Sequence, residues 1–102
     1  MNYETHNDIT VNTGGTSLVG EITASYAKLT ETFGEPMEGD GYKTDAEWEI
    51  KFEDGSIATI YNWKDGKNYC GHSGLKTVNI RDWHIGGFSS GVVNYIKQAL
   101  RQ

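Results

Sequence analysis

Three groups of residues in this 102-residue chain have types and spacings that could do chemistry. The first is acidic: Glu35, Glu38, Asp40, Glu47 and Glu49 crowd one stretch, where carboxylates can stand in for phosphates and meet a basic protein surface. The second is aromatic and polar: Tyr61, Asn62, Trp63, Lys64, Lys67 and Tyr69, followed by Arg81, Trp83 and His84. Rings beside cations are enriched at binding hot spots, and they also hold a nucleobase and its phosphate. The third is Cys70 with His72, Asp82 and His84, which can be written as nucleophile, base and orienter, or, with His6, as metal ligands.

Each group also has a plainer role. Half of the aromatics must serve a core dominated by Trp48, Tyr61 and one further tryptophan, and charged turn residues are ordinarily just solvated. A triad is defined by geometry rather than spacing, and the chain has neither a Cys-x-x-Cys nor a His-x-x-x-His pair. No catalytic residue, metal ligand or cofactor is therefore assigned. Glu35, Glu38, Asp40 and Asp45 lack the alternating positions and terminal glutamate of a calcium loop, and Gly39-Asp-Gly41 lacks the spacing of a phosphate-binding loop.

The net charge of −5 conceals a polarity, since residues 1–54 carry twelve acids and three bases while residues 55–102 carry two acids and six bases. An acidic chain repels phosphates overall, so generic nucleic-acid binding is not expected. No apolar run approaches a membrane span, and the polar start has no signal-peptide pattern. The single cysteine excludes an intramolecular disulfide framework.

One domain over residues 1–102 is expected, with residues 1–7 as a loose terminus. Asp8 to Thr13 and Thr16 to Thr23 read as a hairpin about Gly14-Gly15. A helix follows from about Ser25 to Phe33, capped by Thr23 or Ser25 and ended by Gly34. Residues 34–45 form a Gly-rich acidic loop in which Lys43 is the lone base. Ala46, Trp48, Ile50 and Phe52 then alternate with charged residues, and Asp54-Gly55 suggests a two-residue turn that sets Phe52 opposite Ile57, Ile50 opposite Thr59 and Trp48 opposite Tyr61. Residues 64–74 read as turn and irregular chain, and Thr77 to Ile80 as a strand with Val78 and Ile80 inward. A bulge or turn after it re-aims Trp83 and Ile85. Ser89 or Ser90 caps a last helix whose stripe is Val92, Val93, Ile96, Ala99 and Leu100. The order ββ-α-ββ-β-α makes an α+β fold, an antiparallel sheet of about five strands with two helices on one face.

The segments Phe33-Gly-Glu-Pro36, Asp40-Gly-Tyr-Lys-Thr-Asp-Ala-Glu-Trp-Glu-Ile-Lys-Phe-Glu-Asp-Gly55, Ala58-Thr-Ile-Tyr-Asn-Trp-Lys64 and Trp83-His-Ile-Gly-Gly87 resemble a group of small accessory proteins encoded by tailed bacteriophages. The resemblance spans about residues 16–96 and brings no catalytic set with it. It implies a non-enzymatic protein of the host cytoplasm that binds a bacterial host or defence protein, as anti-CRISPR and other anti-defence inhibitors do. Glu35, Glu38, Asp40, Glu47 and Glu49 are then the expected contact residues. The alternative is a sponge, expected to be a homo-oligomer, that sequesters a cyclic nucleotide signal between Trp63, Tyr69, Trp83 and His84, with Lys64, Lys67 or Arg81 on phosphate. A third reading is an enzyme built on Cys70 and His84.

Overall fold

The computed structural model describes residues 2–5 and 11–102. The chain is an α+β fold on an antiparallel sheet of strands β1 (Tyr3–Thr5), β2 (Ser17–Thr23), β3 (Met37–Glu38), β4 (Ala46–Phe52), β5 (Ile57–Tyr61) and β6 (Asp82–Gly87). Helices α1 (Tyr26–Phe33) and α3 (Gly91–Ala99) flank it, and one short helical turn, α2 (Lys67–Cys70), lies between β5 and β6. The sheet order is β1-β4-β5-β6-β2, with β3 also on the outer edge of β4. Among the described residues no helix is long and apolar enough to cross a membrane.

Local chemistry places α1 where the sequence suggests. The Ser25 hydroxyl accepts the Lys28 N–H at 3.0 Å, and Gly34, at φ +87°, ends the helix in a conformation that disfavours a side chain. Leu29 and Phe33 from α1, and Val92, Ile96 and Leu100 from α3 and its end, join one core with Trp48, Ile50, Phe52, Ala58, Ile60, Trp83 and Ile85. Both helices thus cover the same face. At its centre Trp48 and Trp83 meet edge to face at 5.3 Å. Each buried indole N–H is satisfied by a carbonyl, Gly34 for Trp48 and Ala24 for Trp83. Gly20 lets α3 close on β2, since a Cβ there would lie 2.7 Å from a Val93 methyl.

The β4–β5 hairpin forms, but one residue out of the expected register. Gly55 N–H donates to Phe52 O and Phe52 N–H to Ser56 O, so Glu53-Asp54-Gly55 is a three-residue loop with Gly55 at φ +88°. The pairs are Trp48 with Ile60, Ile50 with Ala58, Glu49 with Thr59 and Glu47 with Tyr61. A one-residue slip exchanges the faces of a strand. Ile60 and Ala58 therefore enter the core, while Thr59 and Tyr61 turn to the helix-free face beside the two glutamates.

Other expectations also need correction. Tyr3–Thr5 is a strand rather than loose chain, because Tyr3 packs edge to face on Phe33 and Phe52 while its backbone pairs with β4. Gly14-Gly15 does make a turn, closed by Thr16 N–H on Thr13 O, and β2 pairs with β6; residues 11–13 form no strand, and 8–10 of the expected hairpin lie outside the described residues. Residues 11–16 instead run against the helix-free face. Thr77–Asn79 is a 3-10 turn that buries Ile80 and exposes Val78, so β6 begins only at Asp82 and no bulge is needed to aim Trp83 inward.

Gly55→Ala is expected to destabilise the fold by about 1 kcal/mol, and Gly55→Asn by less, because asparagine tolerates positive φ better. Denaturant titration of the three proteins checks this; equal midpoints would refute the three-residue loop.

Candidate functional site

Two loops, residues 39–45 before β4 and 62–70 after β5, emerge side by side because their strands are neighbours. The fully buried Asn62 fastens them. Its carbonyl oxygen accepts the N–H groups of Asp45 (2.6 Å) and Ala46 (3.1 Å), and its amide donates to the carboxylates of Asp45 (2.9 Å) and Asp65 (3.0 Å). Asp45 also accepts Asn68 N–H, Asn68 donates to Thr44 O, and Lys64 N–H donates to Lys43 O. Gly66 passes so close that a Cβ would collide with the Asp45 carboxylate.

Inside the first loop, the Asp40 carboxylate accepts N–H bonds from Tyr42, Lys43 and Thr44 at 2.8–3.0 Å. These donors, led by Tyr42 N–H, hold its pKa below the ordinary carboxylate value. In the second loop Lys64 adopts φ +61°, uncommon for a side chain with a Cβ, and its carbonyl accepts the Cys70 thiol.

This scaffold presents a ring-and-ammonium platform. Tyr42, Trp63 and Tyr69 are 57%, 40% and 42% exposed. Lys43 Nζ lies 5.6 Å from the Tyr42 ring and 5.3 Å from Trp63, and Lys64 Nζ lies 5.6 Å from Trp63 and 5.5 Å from Tyr69. Tyr42 and Tyr69 meet at 5.4 Å. Behind them His84 lies nearly parallel to Trp63 and donates toward Glu21 at 3.2 Å. Four residues named from sequence, Trp63, Lys64, Tyr69 and His84, are thus brought together. Three are not: Trp83 is buried in the core, Lys67 reaches the His72 carbonyl, and Arg81 is exposed beside the end of β2, its carbonyl held by Ala24 N–H. Tyr42 and Lys43 complete the platform and went unread, although Lys43 is the only base in its acidic loop.

Three of the five acids gather and two lie apart. Glu49 is 4% exposed on the helix-free face beside Glu47, Asp40 is held by its own loop, and Glu35 and Glu38 lie near the start of β4 with Tyr26 and Met37. Glu47 and Asp40 line a cavity of about 270 Å³ with Thr13, Thr16, Thr59, Tyr61 and Trp63. Burial, the hydrogen bond shared with Glu49, and the charges of Glu49 and Asp40 push its carboxyl up to about 7. Burial and the Glu47 charge likewise raise the Tyr61 phenol.

Cys70 is exposed with its thiol on a carbonyl, and His84 is committed to Glu21 and Trp63. Among the described residues no group of three His, Cys, Asp or Glu side chains is placed to hold a metal ion. No family model matches the chain, and no curated protein matches it either.

Asn62→Ala is expected to cost about 3 kcal/mol, since it strands the buried Ala46 N–H and the half-buried Asp45 N–H, and to loosen both loops together. Denaturant titration measures the cost and hydrogen exchange the loosening; a loss confined to one loop would contradict the shared anchor. Because Glu47 keeps its proton up to about pH 7 in the folded chain but releases it near 4.5 when unfolded, its contribution is full below pH 4.5 and lost as pH rises through 7. Solvent screening at this partly exposed carboxyl limits the effect to about 1 kcal/mol, or roughly 5 °C in Tm. Glu47→Gln should flatten that decline in a series of melts between pH 5 and 8.

Proposed function

We propose that the protein is a non-enzymatic nucleotide-binding protein whose ligand sits on the Tyr42, Trp63 and Tyr69 rings with its phosphate on Lys43 and Lys64. One observation carries the reading: three exposed rings from two loops are gathered round two ammonium groups on a chain that is otherwise acidic. Ring–ring and cation–π contacts hold the group together and leave ring surface open to solvent; stacking a base on that surface is worth about 1–3 kcal/mol per base, and the ammonium groups add phosphate attraction. The loops are braced through Asn62 and Asp40, so little ordering remains to be done when a ligand arrives. The likeness to small tailed-phage proteins supplies a biological setting, sequestration of a nucleotide signal in the host cytoplasm. The five acids make a poor single contact surface, since Glu49 is buried and Glu35 and Glu38 lie apart from Asp40 and Glu47.

The test is calorimetric titration of the full chain with adenosine and guanosine 5′-monophosphates, together with mass analysis of small molecules released on denaturation. Trp63→Ala is expected to weaken binding at least about tenfold, and Lys43→Glu with Lys64→Glu to abolish it. Because Trp63 packs on Tyr61 and His84 and Lys43 is half-buried, melts of both variants accompany the titrations and separate lost binding from lost fold. Undiminished binding by Trp63→Ala would refute the reading.

A further inference from the structure

Trp63 of the platform also lines a cleft of about 520 Å³, within the range of small-molecule pockets. It is bounded by Glu21 and Thr23 of β2, Asp82 and His84 of β6, and Asp65 of the loop after β5, with Trp63 as an aromatic wall. Lys97 is the one ammonium among its described lining residues, against three carboxylates. The cleft is therefore rich in hydrogen-bond acceptors, the reverse of the platform that shares its tryptophan.

We infer that the ligand is a guanine nucleotide, its base on the Trp63 ring of the platform, the donor edge of the base reaching past the indole to Asp82 in this cleft, and its phosphate on Lys43 and Lys64. This rests on the nucleotide-binding reading above. Guanine presents N1–H and its 2-amino group side by side, two donors that match the two oxygens of one carboxylate. Adenine presents a bare acceptor nitrogen beside its 6-amino group, which sets lone pair against lone pair. Hypoxanthine keeps N1–H but lacks the 2-amino group. Asp82 is the carboxylate best placed to accept: Asp65 is tied to Asn62, and Glu21 to His84 at 3.2 Å, whereas Asp82 is held among the described residues by a long 3.4 Å bond from the Thr23 hydroxyl. The ammonium groups lie within 5.6 Å of the indole centroid, so a base on Trp63 leaves its ribose phosphate within reach of them.

Titration of the full chain with the 5′-monophosphates of guanosine, inosine and adenosine separates the possibilities. Guanosine monophosphate should bind at least about tenfold tighter than adenosine monophosphate, with inosine monophosphate between them. Asp82→Asn should remove most of that preference while leaving adenosine monophosphate affinity within about twofold, the lysines and rings being untouched. Equal affinity for guanosine and adenosine monophosphates, or a preference that survives Asp82→Asn, overturns the guanine assignment and leaves the nucleotide reading standing. Binding by none of the three removes both.

Discussion

The arrangement of the whole platform depends on one buried amide. Asn62 follows the last residue of β5, is sealed from solvent, and uses both halves of its side chain, the oxygen on two backbone N–H groups and the nitrogen on two carboxylates. Neither aspartate nor leucine could replace it: the first would set a third carboxylate against Asp45 and Asp65, and the second would strand every partner. Because those partners belong to the start of β4 and to the loop before α2, the amide converts strand adjacency into loop adjacency. Tyr42 and Lys43 reach Trp63 and Lys64 for that reason.

A single strand register decides what the helix-free face contains. Had the hairpin closed on a two-residue turn, Ile57, Thr59 and Tyr61 would have faced the core and Ile60 would have lain beside Glu49. With Gly55 taking positive φ as the third loop residue, Thr59 and Tyr61 join Glu47 and Glu49 instead. Gly86 then becomes necessary, since a Cβ on β6 would strike the Thr59 hydroxyl. The raised pKa of Glu47 follows from burial on this face, where Thr13, Thr16, Thr59 and Tyr61 line the cavity with it, and from its closeness to Glu49 and Asp40.

What could be read from the chain tracks how local each signal is. The cap at Ser25, the stop at Gly34, the alternation of β4 and the apolar stripe of α3 each reside in a few consecutive residues, and each is realised. Asp54-Gly55 was ambiguous because the same dipeptide serves a two-residue turn and the end of a three-residue one. Thr77 to Ile80 has strand-like composition, but α1 packs against it as a turn, and that contact is invisible locally. In the site, composition singled out Trp63, Lys64, Tyr69 and His84, yet treated Trp83 as their equal, since nothing local tells a buried indole from an exposed one. Tyr42 was hidden by its acidic neighbours, and its partnership with Tyr69 exists only through Asn62 and Asp45.

Strands β1 and β2 follow one another among the described strands but occupy opposite edges of the sheet, and the pairings differ widely in how local they are. The β4–β5 hairpin closes over a three-residue loop, so its ends meet at small entropic expense. By contrast, β2 must find β6 across separations such as the 59 residues between Thr23 and Asp82. Tyr3–Thr5 can add only to an edge that β4 has already built. The middle of the chain therefore holds the pairing of lowest entropic cost, and the terminal segments pair at greater separation. The two loops of the platform flank that hairpin, so they emerge from the most locally paired part of the sheet.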